Sequence, residues 1–355
     1  MTIPPWFYST ITEFSKQLAH DAIDSNQVTS GSHTKSLESE LATILNSSHC
    51  LYVNSGTSAL AMSLIASGAS PTSRILTSGV GWIATPQAIQ VIGATPHILD
   101  VQEDLPIINL SDINDHYDYI IPVNYNGRQV DLSPISGLAT SPCIIEDSCK
   151  SLFSSDYTGT KYSGLNGRFG CFSLGMISSL PGIYGGIIAT DSDSDFDNLS
   201  TIKWHGVSYK DGNESYDFKS FNFKSSNVHA AIALGMLSSI EERFNKLRLI
   251  YSMYEEGLSG LENTRLLPIK VDRGELPLLI DLVSTNRQSH TLFLQSLGIP
   301  TCNYHKSLSS SPDVHVIGTT PNSEFFGSSV YHPPCGPDQD LSLIERAIQI
   351  IRTLG

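Results

Sequence analysis

The sequence predicts an α/β protein: a large, mostly parallel sheet with a smaller α+β body at its C-terminal end. Two observations carry this. Short apolar runs at residues 50–53, 74–76, 97–100, 119–123 and 143–146 alternate with helical or irregular segments. From residue 227 to 261 the pattern turns long and helical, with Ala230, Ala231, Leu234, Leu237, Ile240, Phe244, Leu247, Ile250 and Tyr254 recurring at helical spacing. A chain of 355 residues, 40% of them hydrophobic, can bury one large core or two unequal ones. The expected division is residues 1–235 and 236–355, with the boundary inside the long helix.

Taken in order, residues 36–45 read as an amphipathic helix, with Leu37, Leu41, Ile44 and Leu45 on one face and Glu38 and Glu40 on the other. After the strand at 50–53, the turn Ser55-Gly56-Thr57-Ser58 opens a second helix. Such a turn is either a plain N-cap or an anion site, where free N–H groups, the positive end of the helix dipole and hydroxyl donors converge. Strands at 74–76 and 97–100 flank a helix at 84–91, and strands at 119–123 and 143–146 extend the sheet. Binding residues in a parallel sheet belong at the C-terminal strand ends, where Ser55, Trp82, Asn124 and Asp147 stand. Trp82 is either a core residue or a stacking platform for a planar ligand. Asp147 ends an apolar strand, so its carboxylate is partly buried and needs a cap, an ion pair or a ligand.

Residues 171–174 run as a strand into a loop of small residues turned by Pro181 and Gly182, and Gly185-Gly186 lead into an apolar strand at 187–190. Beyond the long helix, residues 275–283, 289–297 and 341–354 read as strand, helix and closing helix, and 307–311 as a mobile loop.

The formal charge of -14, from 35 acidic against 21 basic residues, leaves no basic face for nucleic acid or an anionic membrane, although a small anionic substrate stays open. Residues 1–14 lack the pattern of a secretory leader, and no later run is long and apolar enough to span a bilayer, so a cytoplasmic protein is expected. Six cysteines, without CxxC spacing, fit reduced thiols better than a disulfide framework or a zinc site; no metal is expected.

These segments together resemble the DegT/DnrJ/StrS sugar aminotransferases, pyridoxal phosphate (PLP) enzymes of the aspartate aminotransferase-like fold (PLP fold type I) that act on nucleotide-linked keto sugars. The resemblance covers nearly the whole chain. It runs through Val28-Thr29-Ser30-Gly31, Ser55-Gly56-Thr57-Ser58-Ala59-Leu60, Trp82-Ile83-Ala84-Thr85, Gly93-Ala94-Thr95-Pro96 with Asp100, and Ile121-Pro122-Val123-Asn124-Tyr125-Asn126-Gly127. It continues through Glu146-Asp147, Phe172-Ser173, Gly185-Gly186, Phe221-Asn222-Phe223 with Ala230-Ala231, and Leu297-Gly298-Ile299. It implies that Gly56, Thr57 and Ser173 hold the cofactor phosphate, with Ser58 in the same turn and Asn222 arriving from a second subunit. Trp82 would stack on the pyridine ring, and Asp147 would pair with the ring nitrogen and keep it protonated.

The loop after Phe172 departs from the family. The lysine that bonds to the cofactor is expected six residues past the phenylalanine, where Ser178 stands, and Tyr184 replaces an acid before the paired glycines. A hydroxyl can neither form an imine nor act as a good base unaided. Lys150 stands where the family usually has Gln or His, and is read either as a relocated amine or as a charge partner for the cofactor or a nearby acid. Family members with histidine at the lysine position are dehydratases that hold the aminated cofactor without a covalent bond; His205 and His305 are candidate substitute bases here.

The expected function is therefore transamination or dehydration of a nucleotide-linked keto sugar by a homodimer that holds PLP or pyridoxamine phosphate (PMP) noncovalently. A non-catalytic subunit paired with a lysine-bearing paralogue, and a cofactor-free sugar-binding enzyme, are the alternatives.

Overall fold

The computed structural model describes residues 5–138 and 141–354; residues 1–4, part of the stretch read for a leader, lie outside it. Two helices, α1 (Glu13–Asp24) and α2 (Ser32–Leu45), precede β1 (His49–Val53), α3 (Gly56–Ala66), β2 (Ile75–Ser78), α4 (Ala84–Val91) and β3 (Pro96–Leu99). Strands β4 (Tyr119–Ile121), β5 (Cys143–Asp147), β6 (Phe169–Ser173) and β7 (Gly186–Thr190) lead to α5 (Asp193–Lys203) and the hairpin β8 (Val207–Lys210) and β9 (Asn213–Tyr216). Helices α6 (Asn227–Leu237) and α7 (Ile240–Gly257) come next. The remainder is β10 (Arg265–Leu266), β11 (Leu282–Val283), α8 (Arg287–Ser296), β12 (His315–Val316), α9 (Pro321–Ser329), β13 (Val330–Tyr331) and α10 (Leu341–Arg352).

The main sheet has eight strands in the order β1-β7-β6-β5-β4-β2-β3-β12, and β7 alone runs antiparallel to its neighbours. Both faces are covered, which is why its strands are mostly apolar, with polar residues gathered at strand ends. Leu51 and Val53 of β1 face α3 and the cluster that contains Ile145, Cys171 and Ile188. Cys50 and Tyr52, one pleat on, face the cluster of α2, α6 and α7 with Phe172 and Ile187. Helix α3 lies between the sheet and α4 and α5, so it is apolar nearly all round. A second, three-stranded antiparallel sheet is ordered β10-β11-β13.

Four expectations change. The long helix is two, α6 and α7, because Ser238 and Ser239 turn their hydroxyls onto the carbonyls of Gly235 and Met236 and so compete with the helical ladder. Of residues 275–283, β11 is the strand; the earlier N–H groups of Leu276 and Leu279 go to the side chains of Ser154 and Asn126. The stretch 307–311 holds a short 3-10 turn with Leu308 buried and its N–H on the Gly79 carbonyl. Asp100 lies just past β3 and caps α9, accepting the N–H groups of Asn322 and Ser323.

Candidate active site

A cleft of about 240 Å³ opens over the C-terminal edge of the parallel strands. Ser55 follows β1, Trp82 follows β2, Asn124 follows β4 and Asp147 ends β5, and all four line it, as the strand-end argument requires.

One corner of the cleft is built by α3. Ser55 caps the helix, its Oγ accepting the Ser58 N–H at 3.1 Å and meeting the Ser58 hydroxyl at 2.8 Å. The N–H groups of Gly56 and Thr57 have no acceptor within the helix and stand at its positive end. Ser58 is thus drawn into the cap and does not line the cleft; Ser55 lines it instead, beside Gly56, Thr57 and Ser173. Gly56 has to be glycine, because a Cβ there would come within 2.6 Å of Cys149 Sγ and 3.1 Å of Ser173 Cβ. Gly56→Ala is expected to push Cys149 or Ser173 into this corner and to cost about 1–3 kcal/mol, read by chemical denaturation.

Asp147 is buried, and its contacts are specific: Oδ2 accepts the Thr85 hydroxyl at 2.6 Å and Oδ1 accepts the Cys149 N–H at 3.1 Å. Among the described residues no basic side chain pairs with it. An apolar strand therefore delivers an oriented carboxylate to the cleft with no ion-pair contact, the Lys150 ammonium acting on it only from a longer distance. Cys149 is inert beside it, since burial and the Asp147 charge both push its thiol up.

Trp82 is 52% exposed at the mouth, which removes the core reading. It meets Tyr304 and His305 edge-to-face at 5.6 and 5.2 Å, and those two rings stack at 5.0 Å. Together they make an aromatic wall. His305, one of the two candidate bases, does reach the cleft, but burial, helped by His332 and Lys150, pushes it down to about 3. It is neutral and a weak base at physiological pH. His205 sits exposed in the turn between α5 and β8, away from the cleft.

Ser178 does not face the cleft. It is buried, and its Oγ donates to the carbonyls of Gly175 at 2.7 Å and Leu180 at 2.9 Å, so the hydroxyl braces its own loop. Its neighbour Ile177 lines the cleft, and the Ile177 carbonyl accepts the Lys150 ammonium. Burial lowers Lys150 to about 8, against the opposing pull of Cys149 and Asp147. Asn222 is on the surface outside this chain's cleft, its Oδ1 taking the Lys224 N–H.

The floor comes from further along the chain. Asn126 and Leu279 line the cleft and are tied together: the Leu279 N–H donates to Asn126 Oδ1 at 2.7 Å, and Asn126 Nδ2 reaches Asp281 Oδ2 at 2.6 Å. Gly127, at a φ of 87°, lets the two backbones meet, since a Cβ there would lie 2.0 Å from the Leu276 carbonyl. Leu279, Tyr304, Ile177 and Cys149 are cleft residues that sequence reasoning missed. Thr85 appeared only as part of a motif, with no role. Leu279, Tyr304 and Thr85 carry no local signal, because each is recruited by contacts between distant segments; Cys149 comes with Asp147, two residues before it.

The model of the DegT/DnrJ/EryC1/StrS aminotransferase family matches residues 9–352. The chain belongs to this family. Its fold is the aspartate aminotransferase-like one, and solved structures of the family superpose over almost its full length. "S. venezuelae DesV in complex with ketimine intermediate" is 22% identical, covering 96% of this chain and 94% of that one, at a TM-score of 0.87. An E coli GDP-4-keto-6-deoxy-D-mannose-3-dehydratase with bound hydrated PLP is 18% identical over 99% and 100%, at 0.89. Helicobacter pylori PseC, an aminotransferase involved in the biosynthesis of pseudoaminic acid, is 19% identical over 99% of each chain, also at 0.89. Membership makes the chain a PLP-type enzyme, and the cleft fits that cofactor: a glycine cradle at a helix N-terminus, and a buried carboxylate with no ion-pair contact.

Proposed function

We propose that the chain acts on a nucleotide-linked keto sugar, by transamination or dehydration, with PLP or PMP in this cleft and no bond from the cofactor to residue 178. The observation that carries the reading is Asp147, a buried, doubly hydrogen-bonded carboxylate open to the cleft and unpaired. Burying such a group without a cation is costly, and a protonated ring nitrogen supplies that cation. In this reading the N–H groups of Gly56 and Thr57 and the Ser173 hydroxyl hold the phosphate, and Trp82 covers the ring. When bound, the cofactor supplies an electron sink for the sugar carbon attached to it.

Proton handling then falls to Lys150, since Ser178 is turned away and His305 is too weak a base. Trp82, Tyr304 and His305 restrict water at the reacting edge. Asn222 serves the cleft of a second copy, which makes the working unit a homodimer. The exposed Trp204 and Phe221 near it, 52% and 57% accessible, support an interface there. A dehydratase and an aminotransferase among the similar structures illustrate the two reaction classes.

The test is a titration of the purified protein with PLP and with PMP, followed by fluorescence and melting temperature. Saturable binding of PMP is expected, with stabilisation approaching about 2.7 kcal/mol at a hundredfold excess over Kd. Binding of neither form sinks the proposal.

A further inference from the structure

We propose that Lys150 is the amine that bonds covalently to the cofactor aldehyde, in place of the missing lysine at 178. This rests on the cofactor reading above and deepens it. Lys150 follows β5 by three residues from Asp147, the group assigned to the ring nitrogen, and both line the same cleft. Its ammonium donates to the carbonyl of Ile177, so the amine lies against the loop residue that adjoins Ser178. The serine itself is committed to Gly175 and Leu180, which leaves the space on the cleft side of that loop to the lysine. Among the described cleft residues, Lys150 is the one that carries an amine.

The environment supplies the second requirement. An amine attacks a carbonyl only when unprotonated, and lysines recruited for this are desolvated. Burial brings Lys150 to about 8, so near that pH about half the population is free amine. Of the groups that face it, Cys149 and Asp147 favour its charge, while His305 is neutral near that pH and does not oppose it.

The step balances without a redox partner. The Nζ lone pair attacks the aldehyde carbon, and a carbon–nitrogen bond forms. Both Nζ hydrogens leave with the aldehyde oxygen as one water, and the carbon–nitrogen double bond remains. PMP has no aldehyde and binds without this bond, so both forms of the cofactor are accommodated.

The experiment loads the full chain with PLP, reduces it with borohydride, and maps the adduct by peptide mass spectrometry. A pyridoxyl phosphate group on Lys150 is expected, formed with a pH dependence centred near about 8 and blocked by prior saturation with PMP. Lys150→Arg keeps the cation but cannot condense. It is expected to lose the adduct and the visible absorbance in protein that PMP still saturates, whatever the shift in its affinity. Wild type that binds PLP yet carries the adduct elsewhere, or none, overturns the assignment and leaves the cofactor reading intact. Retention of the visible band in Lys150→Arg overturns it as well. Failure to bind PMP and PLP alike overturns both.

Discussion

Asp147→Asn is expected to weaken binding of PLP and PMP by about 10- to 100-fold, the worth of a charge-assisted hydrogen bond of roughly 1.5–3 kcal/mol. The substitution keeps the size of the side chain, and its carbonyl oxygen still accepts the Thr85 hydroxyl or the Cys149 N–H. What it removes is the negative charge that a protonated pyridine nitrogen requires. Turnover should fall further than binding, because an unprotonated ring is a poor electron sink. Parallel fluorescence titrations of wild type and variant check the first effect, and single-turnover rates with a nucleotide-linked keto sugar check the second. Equal affinity in both proteins would mean that the carboxylate serves the fold and not the cofactor. Thr85→Val provides the intermediate case: the charge stays and its orientation is loosened.

Arg128→Met is expected to cost about 3–5 kcal/mol of stability, because it strands a buried carboxylate. Arg128 and Asp281 are both 1% exposed and meet at 2.5 Å; the guanidinium also donates to the carbonyls of Pro268 and Leu267. His332 and Asn126 complete the ring around Asp281. Burial by itself would raise the Asp281 carboxyl, but Arg128, His332 and Asn126 outweigh it and hold it well below the usual range. The sign follows from that depression. The contribution is fully present above the unfolded value of about 3.9 and is lost as the pH falls below it. Urea denaturation at neutral pH and down to about pH 3 reads both effects, and in the Met variant this component should weaken or reverse, because acid protonates and so relieves the stranded carboxylate. If the destabilisation arises from the stranded charge, Arg128→Met combined with Asp281→Leu recovers much of it. The consequence reaches the cleft, since Asn126 and Leu279 depend on the same network.

Local patterns were enough for the fold class and for one edge of the site. Alternating apolar strands and helices predict the parallel sheet, and a parallel sheet binds at its strand ends, which marks Ser55, Trp82, Asn124 and Asp147. The turn at Gly56 and Thr57 was legible for the same reason: strand, small residues and helix start are contiguous. Ser178 was legible only as an absence of lysine. The direction of its hydroxyl depends on two carbonyls of a folded loop.

Tertiary structure decided what contacts between distant segments decide. The Thr85 hydroxyl reaches Asp147 across 62 positions, and Arg128 reaches Asp281 across 153. Tyr304 and His305 arrive at Trp82 from the far end of the chain. Lys150 could be read in sequence as an amine or as a charge partner, because its spacing from Asp147 says nothing about solvent. Its burial, and the loop carbonyl it meets, exist only once the cleft closes around it. Periodicity records which face of a strand or helix is dry; it does not record which buried polar groups will meet, since that pairing is set by the packing of elements whose order in space is not their order in the chain.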